Sequence, residues 1–526
     1  PAPDLGDVGP RATAEPVTEL DRLVRDTVGA VLDLPEPSMS AGFFAIGGNS
    51  LSATRVAARL STATGVRLGI RDVFDAPDLA GIATALRALG VAADIVPQRR
   101  RSRRAAITGP VPLSPAQHRI WLTNRLDPTL AATYNIPFSV RLTGALDRCA
   151  LIAALNDVVA RHEPLRTTVD ERDGIAYQRV LPAHDGILDA ECLPAEEPAA
   201  GATPAPATAE GDTAAEATTH AEEFAARPFD LAVDLPIRAR LVSHCERDHT
   251  LAVVIHHLAA DGWSLAPFAD DLARAYRART SGAGPAWPDL PVTYRQASAD
   301  RLAWLEDPSS DAGDQLAYWS AALEHAPVES GLPYDRPPTR GGARTGDHVR
   351  VPIEAATRTR LFALADRLDV TPFMVIHAAV AALLRTASDT DDIVVGTPVS
   401  GRGSGDLDAL VGMFVNTLAL RTRVDKEAAF GDLLAAVREC DLTAFDNADI
   451  PFDRLVTELN PDRSTGGQPY FDVSVALEDT AEVVLDFEGL SATASRIDTG
   501  TSKFGLEFTV TDRHGDAGME LLLGYA

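Results

Sequence analysis

Between residues 91 and 111 the chain reads VAADIVPQRRRSRRAAITGPV, and the apolar residues follow different periods on its two sides. Before this stretch they recur at helical spacing only. Leu20, Leu23, Val24, Val28, Val31 and Leu32 share one face of a helix that Thr18 can cap, with Asp21 in the capping-box position. A loop with Pro35 and Pro37 leads to a second amphipathic helix from Ser50, and short helical pieces follow around Val73 and from Asp78 to Leu89. After residue 111, short β-branched runs alternate with helical stretches. One core cannot satisfy both patterns, and 526 residues exceed one core in any case.

The expected organisation is a disordered lead-in over 1–14, a four-helix unit over 15–90, a linker over 91–111 and an α/β region in two parts, 112–285 and 286–526. Within that region the spacing predicts helices over 115–125, 150–161, 315–324, 355–368 and 372–385. It predicts strands over 136–142, 236–242, 251–255, 392–395, 417–423, 471–477 and 506–510. Residues 194–219 are low-complexity and nearly free of large apolar side chains, which marks a surface insertion. The linker arginines Arg99, Arg100, Arg101, Arg103 and Arg104 form either a solvated tether or a contact with an acidic neighbouring surface.

Composition excludes several classes. A net charge of −27 argues against nucleic acid as a partner, because phosphate binding needs a basic face. No apolar run reaches membrane-span length, and the N-terminus PAPDLGDVGP lacks the basic and apolar regions of a signal peptide, so it reads as a piece of a longer polypeptide. Cys149, Cys192, Cys245 and Cys440 show no paired spacing, which fits a reducing cytoplasm and gives neither a disulfide framework nor a zinc knuckle.

Two short stretches carry chemistry. In GGNSL, Ser50 stands at the mouth of a helix behind Gly47 and Gly48. A serine or asparagine there can cap the helix, which stabilises by about 1 kcal/mol. Alternatively Ser50 is an attachment point for a phosphate-linked group, which the helix N-terminus would favour. The second stretch is LAVVIHHLAADGWS, residues 251–264. A wholly apolar run reads as a buried strand that delivers His256 and His257 into a turn closing at Asp261-Gly262. The pair could be a satisfied buried pair, His257 and Asp261 could hold a metal, or an imidazole could act as a base or hydrogen-bonding group near pH 7. The residues alone leave these open.

Longer matches point to a family. Residues 15–90, through FFAIGGNSL and GIRDVFDAPDLAGIA, resemble a peptidyl carrier domain, which implies 4′-phosphopantetheine on Ser50. Residues 112–526 resemble the condensation domain of nonribosomal peptide synthetases. The matching motifs are LSPAQHRIW, RHEPLRTTV, HHLAADGWS, GTPVSGR, VGMFVNTLALR and DIPFDRLV, in that order. The chain departs from the family at Gly466 and Gly467, where a polar residue and an arginine are usual, and at Gly505, where an aspartate is expected.

The resemblance implies two chloramphenicol-acetyltransferase-like lobes in a V shape, with His257 acting at their junction on carrier-bound thioesters to form an amide. His256 is expected to shape the turn, and Asp261 to pair with Arg402, or else Arg238. Gly262 is expected to allow the turn or to aim a backbone N–H at the reacting carbonyl, with Ser264 and Asn416 in support and no metal. The partners implied are an upstream adenylation domain, a downstream acceptor carrier and a phosphopantetheinyl transferase, with the fragment itself a cytoplasmic monomer cut short at LLLGYA. The ATYNIP and AADGWS stretches lean toward an L-configured or achiral donor. Epimerisation and non-catalytic recruitment on the same fold are the rival readings. Trp263-Ser264, where epimerising relatives usually read Ser-Trp, opposes the first, and the intact double histidine opposes the second.

Overall fold

The computed structural model describes residues 15–95, 107, 109–183, 191–194, 222–327, 331–333, 345–459, 469–479, 486–513 and 517–526. The lead-in 1–14, the linker arginines, residues 195–219, and Gly466 and Gly467 lie outside the described residues.

The first unit holds α1 (Glu19–Leu32), α2 (Ser50–Thr64), α3 (Ile70–Phe74) and α4 (Leu79–Ala88). Thr18 and Asp21 form the expected capping box, each accepting from the other's backbone N–H. Leu20, Val24 and Val28 of α1 are fully buried with Val56 and Leu60 of α2 and Ile82 and Leu86 of α4.

The α/β region is built on two sheets. The first runs β11-β1-β6-β5-β4, with β1 (Asn135–Gly144), β4 (Glu191–Pro194), β5 (Ile237–Cys245), β6 (Asp248–His256) and β11 (Leu490–Arg496). The apolar run in β6 has a direct cause: the strand is central and buried on both faces. Leu251, Val253 and Ile255 pack with α6 (Arg148–Arg161) and α7 (Leu265–Thr280), while Ala252 and Val254 face Phe224, Phe229 and Leu258. The second sheet runs β7-β13-β12-β10-β8-β9, with β7 (Asp347–Ile353), β8 (Asp392–Val399), β9 (Asn416–Arg423), β10 (Val473–Asp479), β12 (Leu506–Asp512) and β13 (Met519–Tyr525). Beside it lie α10 (Ala355–Arg367), α11 (Pro372–Ala387) and α12 (Phe430–Asp446), and the fully buried Met374, Val395, Leu420 and Val437 belong to its core.

The two lobes are not separable in sequence. Strand β11 leaves the second half and pairs antiparallel with β1, from Phe138 opposite Arg496 to Gly144 opposite Leu490. The division expected at 285/286 is therefore crossed by one strand. An aspartate at residue 505 would require the Asp472 carboxylate to move. A Cβ on Gly505 would lie 2.2 Å from Asp472 Oδ2, and Asp472 Oδ1 instead accepts the Gly505 N–H at 3.0 Å.

Candidate active site

Strand β6 fixes both histidines, and they diverge at once. His256 is fully buried: its Nδ1 accepts from the Leu258 N–H at 3.1 Å, so the neutral ring carries its proton on Nε2. That N–H turns to the Asn124 side-chain amide, 3.1 Å away, where the amide oxygen is the group able to accept it, and Phe229 packs edge-on against the ring. Burial, with a smaller push from Arg238, drives its pKa down to about 3. His256 therefore stays neutral and holds the turn together with Gln117, whose Nε2 donates to Leu258 O at 2.9 Å.

His257 is anchored by its backbone N–H on Tyr134 O at 2.7 Å, and its ring lines a cavity of about 1680 Å³ at the lobe junction. Its Nε2 lies 3.0 Å from the ammonium of Lys503, in the loop before β12. Burial, then Lys503, His256 and Arg119, holds the ring well below its ordinary pKa, so it is a neutral imidazole at pH 7.

Asp261 does not face the cavity. It is fully buried and receives five hydrogen bonds. Oδ1 accepts from Ser264 N (2.9 Å), Ser264 Oγ (2.8 Å) and Arg402 Nη2 (2.8 Å), and Oδ2 accepts from Phe414 N (2.9 Å) and Val415 N (3.2 Å). Neither oxygen is left for a cation, so a metal held between His257 and Asp261 does not fit. The buried Arg402 guanidinium also donates to Leu407 O and Leu410 O and lies over the Phe414 ring. Arg238, the other candidate partner of Asp261, instead donates to Arg227 O and stacks on Phe224 and Phe229. Ser264 Oγ completes the knot by accepting from Gly412 N at 3.1 Å. The first lobe's turn is thereby tied to the second lobe's 411–415 loop.

Asn416 works further out. Its Nδ2 donates to Ala448 O and Ile450 O, and its Oδ1 accepts from Phe452 N, bracing the segment ahead of α13 (Phe452–Leu459) beside the cavity. Gly262 has neither left-handed backbone nor a neighbour within 4 Å of a built Cβ. It lines the cavity, so what glycine provides there is open space.

Ser50 opens onto the same cavity. Capping of α2 falls to Asn49, whose Oδ1 accepts from Ser52 N at 2.8 Å while Ser52 Oγ accepts from Asn49 N at 2.7 Å. Ser50 is thus the first helical residue, with its hydroxyl not spent on the cap. Of the two glycines ahead of it, Gly47 has φ +96° and Gly48 packs so closely on Phe43 that a Cβ would lie 2.4 Å from the ring. A phosphate-linked group on Ser50 fits this helix N-terminus.

Ion pairs hold the carrier unit to the second lobe. Arg55 and Arg59 meet Asp408, Arg67 meets Asp311 (2.6 Å), Arg71 grips Glu439 with both terminal nitrogens (2.7 and 2.9 Å), and Arg438 meets Asp75 (2.7 Å). The Ile70 N–H also donates to Asp446 Oδ1 at 2.6 Å. The carrier's arginines in this contact belong to α2, α3 and the segment between them, and Arg438 of α12 answers them from the second lobe.

Sequence reasoning assigned no role to Lys503, Arg119, Gln117 or Asn124. Gln117, Arg119 and Asn124 lie in or just after LSPAQHRIW, and Lys503 lies two residues before Gly505 in SKFGLEF, residues 502–508, but nothing in a linear sequence brings residue 503 to residue 257.

Fold and site together define a class: a helical carrier unit joined to a two-lobed acyl-transfer domain, with the carrier serine and a lobe-junction histidine on one cavity. The condensation-domain family profile matches residues 107–525, and the phosphopantetheine attachment site profile matches residues 22–86. The chain belongs to the condensation-domain family of nonribosomal peptide synthetases, whose reaction is amide bond formation, and it carries a phosphopantetheine carrier domain.

A dimodular nonribosomal peptide synthase of Bacillus subtilis is 37% identical over 538 residues, covering 100% of this chain and 21% of that protein. A probable non-canonical nonribosomal peptide synthetase of Salinispora arenicola is 37% identical over 509 residues, covering 95% of this chain and 6% of that protein. The chain thus spans a small part of these relatives. Among solved structures, the X-domain from teicoplanin biosynthesis superposes with a TM-score of 0.71 at 27% identity, covering 80% of this chain and 91% of that one. The first condensation domain of the calcium-dependent antibiotic synthetase gives 0.64 at 22% identity, covering 80% and 91%, and shows the fold alone. Among the described residues, no single helix is long and apolar enough to cross a membrane.

Proposed function

We propose that Ser50 carries the donor group and that His257 Nε2 is the proton acceptor for the amine of an aminoacyl group on a downstream carrier. The observation that carries this reading is that Ser50 and His257 line one cavity. Ser50 would hold phosphopantetheine, which would present the donor as a thioester, a carbonyl already activated toward an amine with a thiol as leaving group. His257 receives the proton from the amine at Nε2 and can return it to the leaving sulfur, so the ring ends as it began. Its depressed pKa supplies the neutral form that this role requires. The wall that Gly262 and Trp263 help to form orients the two arms, and holding tethered reactants together removes much of the barrier.

His256, Asp261, Ser264 and Arg402 position the turn and do not touch substrate. An upstream adenylation domain, a phosphopantetheinyl transferase and a reducing cytoplasm complete this reading.

The test has two parts. Intact-mass analysis after treatment with a phosphopantetheinyl transferase should show one added arm, absent in Ser50→Ala. With loaded donor and acceptor carriers, His257→Ala should lose about 10²–10⁴-fold in amide formation. Undiminished transfer by that variant would refute the assignment, and washout of α-deuterium from the carrier-bound residue without transfer would establish epimerisation instead.

A further inference from the structure

Of the 48 Lys and Arg residues in this chain, two are lysines, Lys426 and Lys503. Lys426 is an exposed partner of its neighbour Glu427. Lys503 points its ammonium at His257 Nε2, 3.0 Å away, across the lobe junction and 246 residues along the chain. In a protein where all but two basic positions are arginine, an ammonium facing the imidazole points to a chemical requirement. Guanidinium is a rigid fork, whereas ammonium is a compact charge on a stem that can swing aside.

The geometry has a consequence. An ammonium only donates, so the nitrogen it faces must hold a lone pair. His257 Nε2 is then the unprotonated nitrogen, and the ring proton sits on Nδ1, which is buried with no hydrogen-bond partner among the described residues. We propose that Lys503 is a positioning residue that keeps His257 Nε2 unprotonated and yields its place there when the acceptor amine arrives. The inference rests on the amide-forming role of His257 given above.

Four other charged or titratable groups surround this pair. They are His256 on the same turn, Arg119 on α5 (Pro115–Leu126), Arg496 on β11 and Glu507 on β12. Arg119 pairs with Asp453 and Arg496 with Glu478, so both cations are partly balanced. Glu507 Oε1 accepts the backbone N–H groups of Lys503 and Phe504, fixing the loop while the lysine side chain stays exposed in the cavity. Lys503 is therefore the one cation in direct contact with the imidazole among the described residues.

The experiment is NMR on the full chain. The His257 ring titration is followed in the unmodified protein, Lys503→Met and Lys503→Arg. Loss of the ammonium should raise the His257 midpoint by about one pH unit or more, from a unit charge at this distance, and the arginine should hold it low. An unchanged midpoint in Lys503→Met overturns the proposal. A second measurement needs no variant. Two lysines give two side-chain Cε signals in a ¹³C-lysine-labelled chain, and glycyl N-acetylcysteamine thioester should move the Lys503 signal but not that of Lys426. A Lys503 signal indifferent to that amine also overturns the proposal. Neither readout requires turnover, so failure here leaves the amide-forming assignment standing. Conversely, a fully active His257→Ala would remove that assignment whatever the titration shows.

Discussion

Replacing Asp261 by alanine tests whether that carboxylate is structural. The carboxylate is fully buried and accepts five hydrogen bonds, one from the guanidinium of Arg402, itself nearly buried. Removing one partner of such a pair costs about 3–5 kcal/mol, because the other charge is left buried and unpaired. The Phe414 and Val415 N–H groups lose their acceptor too, at about 1–3 kcal/mol each where water does not reach them. These costs overlap, so the expected loss is about 4 kcal/mol or slightly more. At about 1 °C per kcal/mol for a domain of this size, the condensation domain should melt about 5 °C lower. Differential scanning calorimetry at one scan rate reads this, with the carrier's own transition as internal control. Arg402→Met alone should be comparably damaging. The double variant should be less damaged than the sum of the two, because both charges leave together. An Asp261→Ala chain melting within about 2 °C of the parent would refute the reasoning.

Three further outcomes follow from the same geometry. The folded His256 pKa lies near 3 while the unfolded value is about 6.5, so its stabilising contribution is present above pH 6.5 and is lost as pH falls toward 3. In denaturant titrations, the stability gap between the parent and His256→Asn should therefore narrow by about 2 kcal/mol between pH 7 and pH 5, and a constant gap would contradict a neutral buried ring. Gly262→Val places a side chain in the open space of the cavity, so it should cut amide formation at least tenfold, about 1.4 kcal/mol in the barrier, while leaving the melting temperature within about 2 °C. Equal loss of stability and activity would count against a purely spatial role. The carrier's docking rests on partly exposed ion pairs worth about 0–1 kcal/mol each, so it should loosen in about 0.5 M salt and more so in Arg71→Glu. The radius of gyration from small-angle scattering should rise, and one invariant with salt would mean that the apolar contacts alone suffice.

The sequence was most legible where one local rule decides. The Thr18–Asp21 cap, the doubly buried Leu251–Ile255 run and helices such as Pro372–Ala387 each follow from a single period or a single cap. It left two residues open for one duty: a serine or an asparagine could cap α2, and Asn49 with Ser52 performs that duty while Ser50 begins the helix. It was under-read at Asp173-Gly174, a two-residue turn with φ of 53° and 79° joining β2 (Thr167–Arg172) to β3 (Ile175–Val180), although Asp-Gly is a strong hairpin signal. What no local rule could give is pairing across the junction. The partner of Asp261 was found through the family motif that contains Arg402, and the partner of His257 was not found, because nothing in SKFGLEF states that its lysine meets an imidazole.

The lobe junction is better understood as a device with two ties than as a hinge with a histidine in it. On one side, β11 crosses from the second half into the first sheet and shares seven register positions with β1. On the other, Asp261 gathers Arg402 and the backbone of Phe414 and Val415 from the second lobe onto the first lobe's turn. Between these ties sits a contact that neither lobe owns: Nε2 comes with β6 of the first sheet, and the ammonium comes with the loop leading into β12 of the second. An ammonium's effect on an imidazole falls off with distance, so a separation of the lobes would remove one of the influences that, after burial, hold the ring's pKa down. The same ties that stabilise the fold thereby hold the ammonium against the imidazole, and a carrier docked on the second lobe alone bears on one of the two walls that must stay in register.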